Sequence, residues 1–243
     1  MNFISRIIRA VDFFLYTLCM YFLSFLPPHV IAPFYRKLFQ SWSRVFVRAL
    51  NVDLRLHQKN KRPLPKQFIL IANHPSAFED IGIPSLFNVR SLAKQQVKHW
   101  WIVGRISRAA DTLYFDRESK KARAEVVDRV LVELKKGDSI ALYPEGGCKG
   151  RRLFESFRYG AFDMSLQSGV PIVPVFLHYE SQEDFEWQGQ SLPRKIWQIM
   201  TARNNRANYY VFDALDPADY ANKEAFTESA YQQYLLWQEE YLE

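Results

Sequence analysis

Apolar and polar positions along the chain fall into two regimes that meet near residue 50. Beyond that point, short apolar runs alternate with amphipathic stretches. Phe68-Ile-Leu-Ile-Ala72 is an unbroken apolar run of strand length, and Ser139–Tyr143 and Val170–Leu177 repeat the pattern, so three buried strands are expected. Val52–His57 alternates, as a strand with one wet face does. Arg90–Ala93 and Leu113–Phe115 read as short strands, and Tyr209–Ala214 as a late edge strand. Ala122, Val126, Val127, Val130, Leu131 and Leu134 lie on one helical face, which predicts a helix over Ser119–Lys136 with Ser119 as cap and Gly137 as stop. Shorter helices are expected over Asp80–Phe87 and Phe157–Gln167, and an acidic, aromatic one over Glu224–Leu242. Lys94–Arg108 is a basic, Trp-bearing segment. Strands alternating with helices predict an α/β fold with a mainly parallel, mixed sheet flanked by helices.

The first fifty residues follow another rule. Val11–Leu26 is nearly all apolar, contains Asp12 and ends at Pro27-Pro28; it is short for a membrane crossing, which takes about twenty apolar residues. Pro33–Leu50 carries Phe34, Tyr35, Leu38, Phe39, Trp42 and Phe46 at spacings of three and four, and its charges, Arg36, Lys37, Arg44 and Arg48, are all basic. The pair reads as a helical hairpin lying in a membrane interface with its basic groups at the headgroups; the other reading is a hairpin packed on the body of the same chain. The expected division is therefore 1–50, membrane-associating helices, and 51–243, an α/β domain closed by the acidic helix.

Charge sharpens the picture. The net charge is +6, but residues 180–243 hold five Lys/Arg against twelve Asp/Glu, which leaves +13 on residues 1–179. A basic body calls for an anionic partner. The runs Lys59–Arg62 and Lys149–Arg152 come with no nucleic-acid motif, so phosphate or membrane contact is expected and nucleic acid is not. Cys19 and Cys148 are far apart in unlike contexts and make no disulfide or metal framework, and His29, His57, His99 and His178 lack metal-ligand spacing.

Candidate chemistry sits at strand ends. Asn73-His74 follows the Phe68–Ala72 run, with turn residues Pro75 and Ser76 next and the carboxylates Glu79 and Asp80 close behind. Asp116-Arg117 ends the strand Leu113–Phe115, and Pro144-Glu145-Gly146-Gly147 follows Ser139–Tyr143. Were these strands parallel neighbours, a histidine base, an arginine able to hold an anion bidentately and a glycine turn with free N–H groups would share one crevice.

These blocks, in this order, resemble the glycerolipid acyltransferase family, which includes the 1-acylglycerol-3-phosphate and lysophospholipid acyltransferases. The family hallmark is Asn-His, four residues and an aspartate, here Asn73-His74-Pro-Ser-Ala-Phe-Glu79-Asp80. Ala93-Lys94, Gly104 and Leu113-Tyr-Phe-Asp116-Arg117 are similar to its second block, and Tyr143-Pro144-Glu145-Gly146-Gly147-Cys148-Lys149 to its Phe-Pro-Glu-Gly-Thr-Arg-Ser. Phe157–Ala161 and Val170–Val175 are similar to later blocks, so the resemblance covers roughly residues 68–177. It implies transfer of a fatty acyl group from a thioester, acyl-CoA or acyl-carrier protein, to a hydroxyl of a lysophospholipid or related anionic lipid, with no cofactor beyond the donor. His74 would be the general base and Glu79 or Asp80 its partner. Arg117, Glu145, Gly146, Gly147 and Lys149 would form the substrate-binding set. The enzyme would act at a membrane, with membrane lipids as partners and its site on the cytoplasmic side.

Two departures bear on this. The family aspartate falls at Glu79, with Asp80 one residue later, and either could orient His74. Thr-Arg-Ser is replaced by Gly147-Cys148-Lys149, which removes an arginine that Lys149, Arg151 and Arg152 could replace. A non-catalytic membrane- or lipid-binding protein that keeps the fold is the competing reading.

Overall fold

A computed structural model describes residues 3–110, 112–115, 120–148, 150–186 and 189–243. Two helices open the chain, α1 (Phe3–Leu23) and α2 (Pro28–Ala49). The body then runs β1 (Asp53–Gln58), β2 (Ile69–Ala72), α3 (Glu79–Leu86), β3 (Arg90–Lys94), α4 (Trp101–Ala109), β4 (Leu113–Phe115), α5 (Lys120–Lys135), β5 (Ile140–Leu142), α6 (Gly160–Ser168), β6 (Ile172–Tyr179), α7 (Gln182–Phe185), α8 (Leu192–Thr201), β7 (Arg206–Val211) and α9 (Lys223–Leu242). The sheet has seven strands in the order β1-β7-β6-β2-β5-β3-β4. All neighbours are parallel except β6 and β7, so the sheet is mixed, as expected.

The apolar run at 69–72 is central and buried on both faces, which is why it shows no alternation. Leu70 and Ala72 face the layer with Val47 of α2, Ile83 of α3, Phe185 of α7 and Ile199 of α8. Ile69 and Ile71 face Val130 and Leu134 of α5, Phe162 of α6, and Phe226 and Tyr234 of α9. The result is three layers, helix–sheet–helix. From β5 the chain crosses over β2 to reach β6, whereas from β2 it passes over β5 to reach β3. The direction of winding therefore reverses between β2 and β5, and a crevice opens beyond their C-terminal ends, the usual ligand site of open α/β sheets.

Two expectations need correction. The late strand is not an edge: β7 pairs with β1 on one side and β6 on the other, and β1 takes the edge. The helix expected from Phe157 begins at Gly160; the preceding residues form a loop in which Phe157 is buried and the Arg158 N–H donates to Pro144 O at 2.8 Å. Sequence periodicity also left 182–201 unassigned, where α7 and α8 lie. The expected cap Ser119 lies outside the described residues.

The N-terminal hairpin packs on the body. Met20, Ile31, Tyr35 and Trp42 bury against Ile106 and Ala110. The Tyr35 hydroxyl donates to Met20 O at 2.7 Å and Trp42 Nε1 to Thr17 Oγ1 at 2.9 Å, tying the two helices together. Two of the basic residues expected at headgroups turn inward instead: Arg44 Nε donates to Ser85 O at 2.8 Å, and Arg36 pairs with Asp138. The opposite face of α1 is bare, with Ile4, Val11, Phe14, Leu18 and Phe22 exposed. No helix among the described residues is long and apolar enough to cross a membrane.

Candidate active site

His74 lies two residues past the end of β2, and the way the chain leaves the sheet sets its position. Asn73 replaces a strand residue there. Its Nδ2 donates to Leu177 O at 2.9 Å and its Oδ1 accepts from the Leu177 N–H at 2.7 Å. The side-chain amide thus pairs with β6 as a backbone would, and the main chain is released to turn. The His74 N–H is then caught by Glu145 Oε1 at 2.6 Å. Glu145 Oε2 accepts the Phe154 N–H at 2.9 Å. Glu145, expected in the substrate-binding set, uses both oxygens on backbone and clamps the turn after β5 to the turn after β2.

The imidazole is 6% exposed and stacks on Tyr143, with centroids 4.1 Å apart and planes 9° from parallel. Glu79 Oε2 lies 3.2 Å from Nδ1. Glu79 is the first residue of α3, and its Oε1 reaches back to the Ser76 N–H at 2.9 Å as the glutamate of a capping box does. The Tyr179 hydroxyl, from the end of β6, donates to the same oxygen at 2.9 Å. Of the two candidate carboxylates, Glu79 therefore takes Nδ1. Asp80 stands beside it, near enough that its charge acts on the Tyr143 and Tyr209 hydroxyls. With Nδ1–H donating to the carboxylate, Nε2 is the basic nitrogen. Facing it is Cys148 Sγ at 3.4 Å.

These contacts set the protonation behaviour. Burial disfavours the His74 imidazolium, but the Cys148 and Glu79 contacts outweigh it, and the pKa moves up from the ordinary histidine value. Burial pushes the Glu79 carboxyl up against the pull of His74, backbone and Tyr179 hydrogen bonds. Burial likewise raises Glu145, against the two N–H groups that favour its charge.

The glycine turn lies beside the His74–Glu79 pair. Gly146 has φ +76, a conformation that favours glycine, and its N–H donates to Tyr143 O at 3.0 Å, which closes the turn. A Cβ on Gly146 would come within 2.2 Å of Arg158 Nε, which places that guanidinium directly on the turn. Gly147 follows, half-buried. Arg117 and Lys149 lie outside the described residues. No group of three or more His, Cys, Asp or Glu suited to a metal occurs among the described residues. Sequence reading missed Tyr179 and Tyr209. A signal was available for Tyr179, the one hydroxyl in the apolar strand Ile172–Tyr179, where burial makes it find a partner, whereas Tyr209 stands beside Tyr210 in a strand with Arg206 and Asn208 and carried none.

Fold and site together define an α/β protein whose sheet presents a carboxylate-held imidazole at the point where its winding reverses. The chain belongs to the acyltransferase family: the family model described as Acyltransferase matches residues 53–178, more than half of it. It is similar to a 1-acyl-sn-glycerol-3-phosphate acyltransferase of Neisseria meningitidis, 25% identical over 181 residues, covering 69% of this chain and 71% of that one. It is 25% identical over 157 residues to a lysophosphatidylcholine acyltransferase of Drosophila melanogaster, covering 62% of this chain and 29% of that protein. It is 31% identical over 115 residues to a lyso-ornithine lipid O-acyltransferase of Rhizobium meliloti, covering 47% and 39%. The chain thus spans about seven-tenths of the first relative and less than a third of the second. The crystal structure of the 1-acyl-sn-glycerophosphate acyltransferase PlsC from Thermotoga maritima shares the fold, with a TM-score of 0.69 at 19% identity over 96% of this chain and 97% of that one.

Proposed function

We propose that this protein is an O-acyltransferase that moves a fatty acyl group from a thioester, acyl-CoA or acyl-carrier protein, to the hydroxyl of a lysophospholipid-type acceptor at a membrane surface. The observation that carries the reading is the buried His74–Glu79 pair at the C-terminal ends of β2 and β5. His74 Nε2 takes the proton of the acceptor hydroxyl while Glu79 supports the imidazolium. The oxygen attacks the thioester carbonyl, the C–S bond breaks, and the proton passes from the imidazolium to the leaving thiolate. The acceptor supplies the nucleophile, so no covalent enzyme intermediate is required. The acceptor's anionic head is assigned to Arg117 and to Arg158, whose guanidinium lies on the Gly146 turn.

Two features favour this over a scaffold that merely keeps the fold. A fully buried carboxylate facing a buried imidazole is costly to desolvate, and such a cost is characteristic of sites that use the charge. Besides the bare apolar face of α1, Phe25 and Phe34 are exposed and Trp101 on α4 is 82% exposed, which supports an apolar surface suited to the outer layer of a bilayer. The test is His74→Ala with a labelled acyl thioester and lysophosphatidic acid on vesicles. Transfer should vanish while vesicle binding stays; transfer at the wild-type rate would overturn the reading.

A further inference from the structure

We infer that Tyr179, one residue past the end of the family match, is the positioning residue that lets a glutamate work where the family hallmark has an aspartate. The inference rests on the acyl-transfer reading above. Glutamate is longer than aspartate by one methylene, about 1.5 Å of reach. The structure uses that length. Oε2 meets His74 Nδ1 at 3.2 Å, while Oε1 takes two donors at once, the Ser76 N–H and the Tyr179 hydroxyl, each at 2.9 Å.

The support extends one residue further. The Tyr179 hydroxyl lies 3.1 Å from that of Tyr209, and since Tyr179 gives its proton to Glu79, Tyr209 gives its own to Tyr179. Both rings are wholly buried, and burial holds both phenols well above their ordinary pKa, so they remain donors. Tyr209 fits only because residue 82 is glycine: a Cβ there would lie 2.2 Å from the Tyr209 oxygen. Tyr209, Tyr179 and Glu79 come from β7, β6 and α3, yet their side chains form one directional hydrogen-bond chain ending at the imidazole, with Gly82 leaving it room. Two donors on Oε1 favour the charged carboxylate against the burial that opposes it, and they fix the direction of Oε2. An aspartate at 79 would fall short of Tyr179 or of Nδ1. Restoring the family residue should therefore harm this enzyme.

The experiment measures acyl transfer from palmitoyl-CoA to lysophosphatidic acid by full-length Glu79→Asp, Tyr179→Phe and the double variant, each with a pH–rate profile. Among the described residues, the charged and titratable groups near His74 and Glu79 include Asp80 on α3, Tyr143, Glu145, Cys148 and Arg158 after β5, Tyr179 on β6 and Tyr209 on β7. Each single variant should lose about tenfold in kcat, the scale of one hydrogen bond to a charge, with both KM values unchanged. Tyr179→Phe should also move the acid limb to lower pH, because a less ionised Glu79 supports the imidazolium less. The double variant should fall no further than the worse single, since both changes break the same contact. Wild-type kcat in either single variant, or losses that multiply in the double, would overturn the inference. Should Glu79→Asp fail to fold, the limb shift of Tyr179→Phe decides. A wild-type enzyme that transfers no acyl group would fell the acyl-transfer reading itself, whereas an active wild type with an unaltered Tyr179→Phe fells only the role given to Tyr179.

Discussion

Glu79 Oε2 lies 3.2 Å from His74 Nδ1, with the imidazole almost wholly and the carboxylate wholly out of solvent. That one contact orients the ring, assigns the basic nitrogen to Nε2 and couples the charge of the two groups.

The pH dependence follows from it. The proposed reaction needs neutral His74, and the folded pKa is raised, so the rate should climb with pH and level off above the ordinary histidine range. Glu79→Gln removes part of what raises that pKa. Its acid limb should move to lower pH while kcat falls about a hundredfold or more. A limb that stays in place would show that Glu79 does not act on His74.

Cys148 is exposed, and its Sγ lies 3.4 Å from the nitrogen that would take the acceptor proton. Iodoacetamide should inactivate the wild type by placing a group over Nε2, and Cys148→Ala should resist; equal inactivation of both would assign the effect to the other exposed thiol, Cys19. Cys148→Ala should keep its kcat, with the acid limb shifted to lower pH, because a contact that raises the His74 pKa is gone. Loss of transfer in this variant would point instead to a thiol nucleophile.

Asn73 should prove a stability residue rather than a chemical one. Asn73→Ala leaves the N–H and C=O of Leu177 unpaired in a site that is 1% exposed. The cost should be about 2–4 kcal/mol, read from urea unfolding of the full chain. A loss well under 1 kcal/mol would mean that water or backbone replaces the amide.

Gly146→Ala forces a side chain onto a backbone at φ +76 and into the Arg158 guanidinium. It should cost about 1–2 kcal/mol in backbone strain alone and raise the acceptor KM through the displaced arginine. Unchanged stability would show that the turn relaxes freely.

The exposed stripe on α1 should govern membrane binding. Phe14→Ser with Phe22→Ser removes two exposed aromatics, each worth about 1.5–3 kcal/mol when buried in an apolar phase. Co-sedimentation with anionic vesicles should weaken by two orders of magnitude or more, while transfer to a short-chain soluble acceptor stays. Unaltered binding would place the membrane contact elsewhere.

Much of the architecture was written in local pattern. The runs at 69–72 and 140–142 are apolar throughout because they lie in a parallel sheet covered on both faces, and periodicity reports burial directly. Their order, their alternation with helices and the strand-end position of His74 followed from it. What local pattern could not carry were relations between distant segments. It could not put β7 inside the sheet, since edge and interior depend on which strands come to lie beside it. It could not turn Arg36 and Arg44 away from the headgroups, because their partners Asp138 and Ser85 O lie on other elements. It could not choose between Glu79 and Asp80. Both carboxylates sit in the first turn of α3, and the choice fell to Tyr179 and Ser76, which only the closed sheet brings against one oxygen of Glu79. Sequence by itself determined which chemistry is present and at which strand ends. Tertiary structure decided which partner each group meets, because a buried polar atom is satisfied by whatever the fold places within 3 Å of it, however far away in the chain.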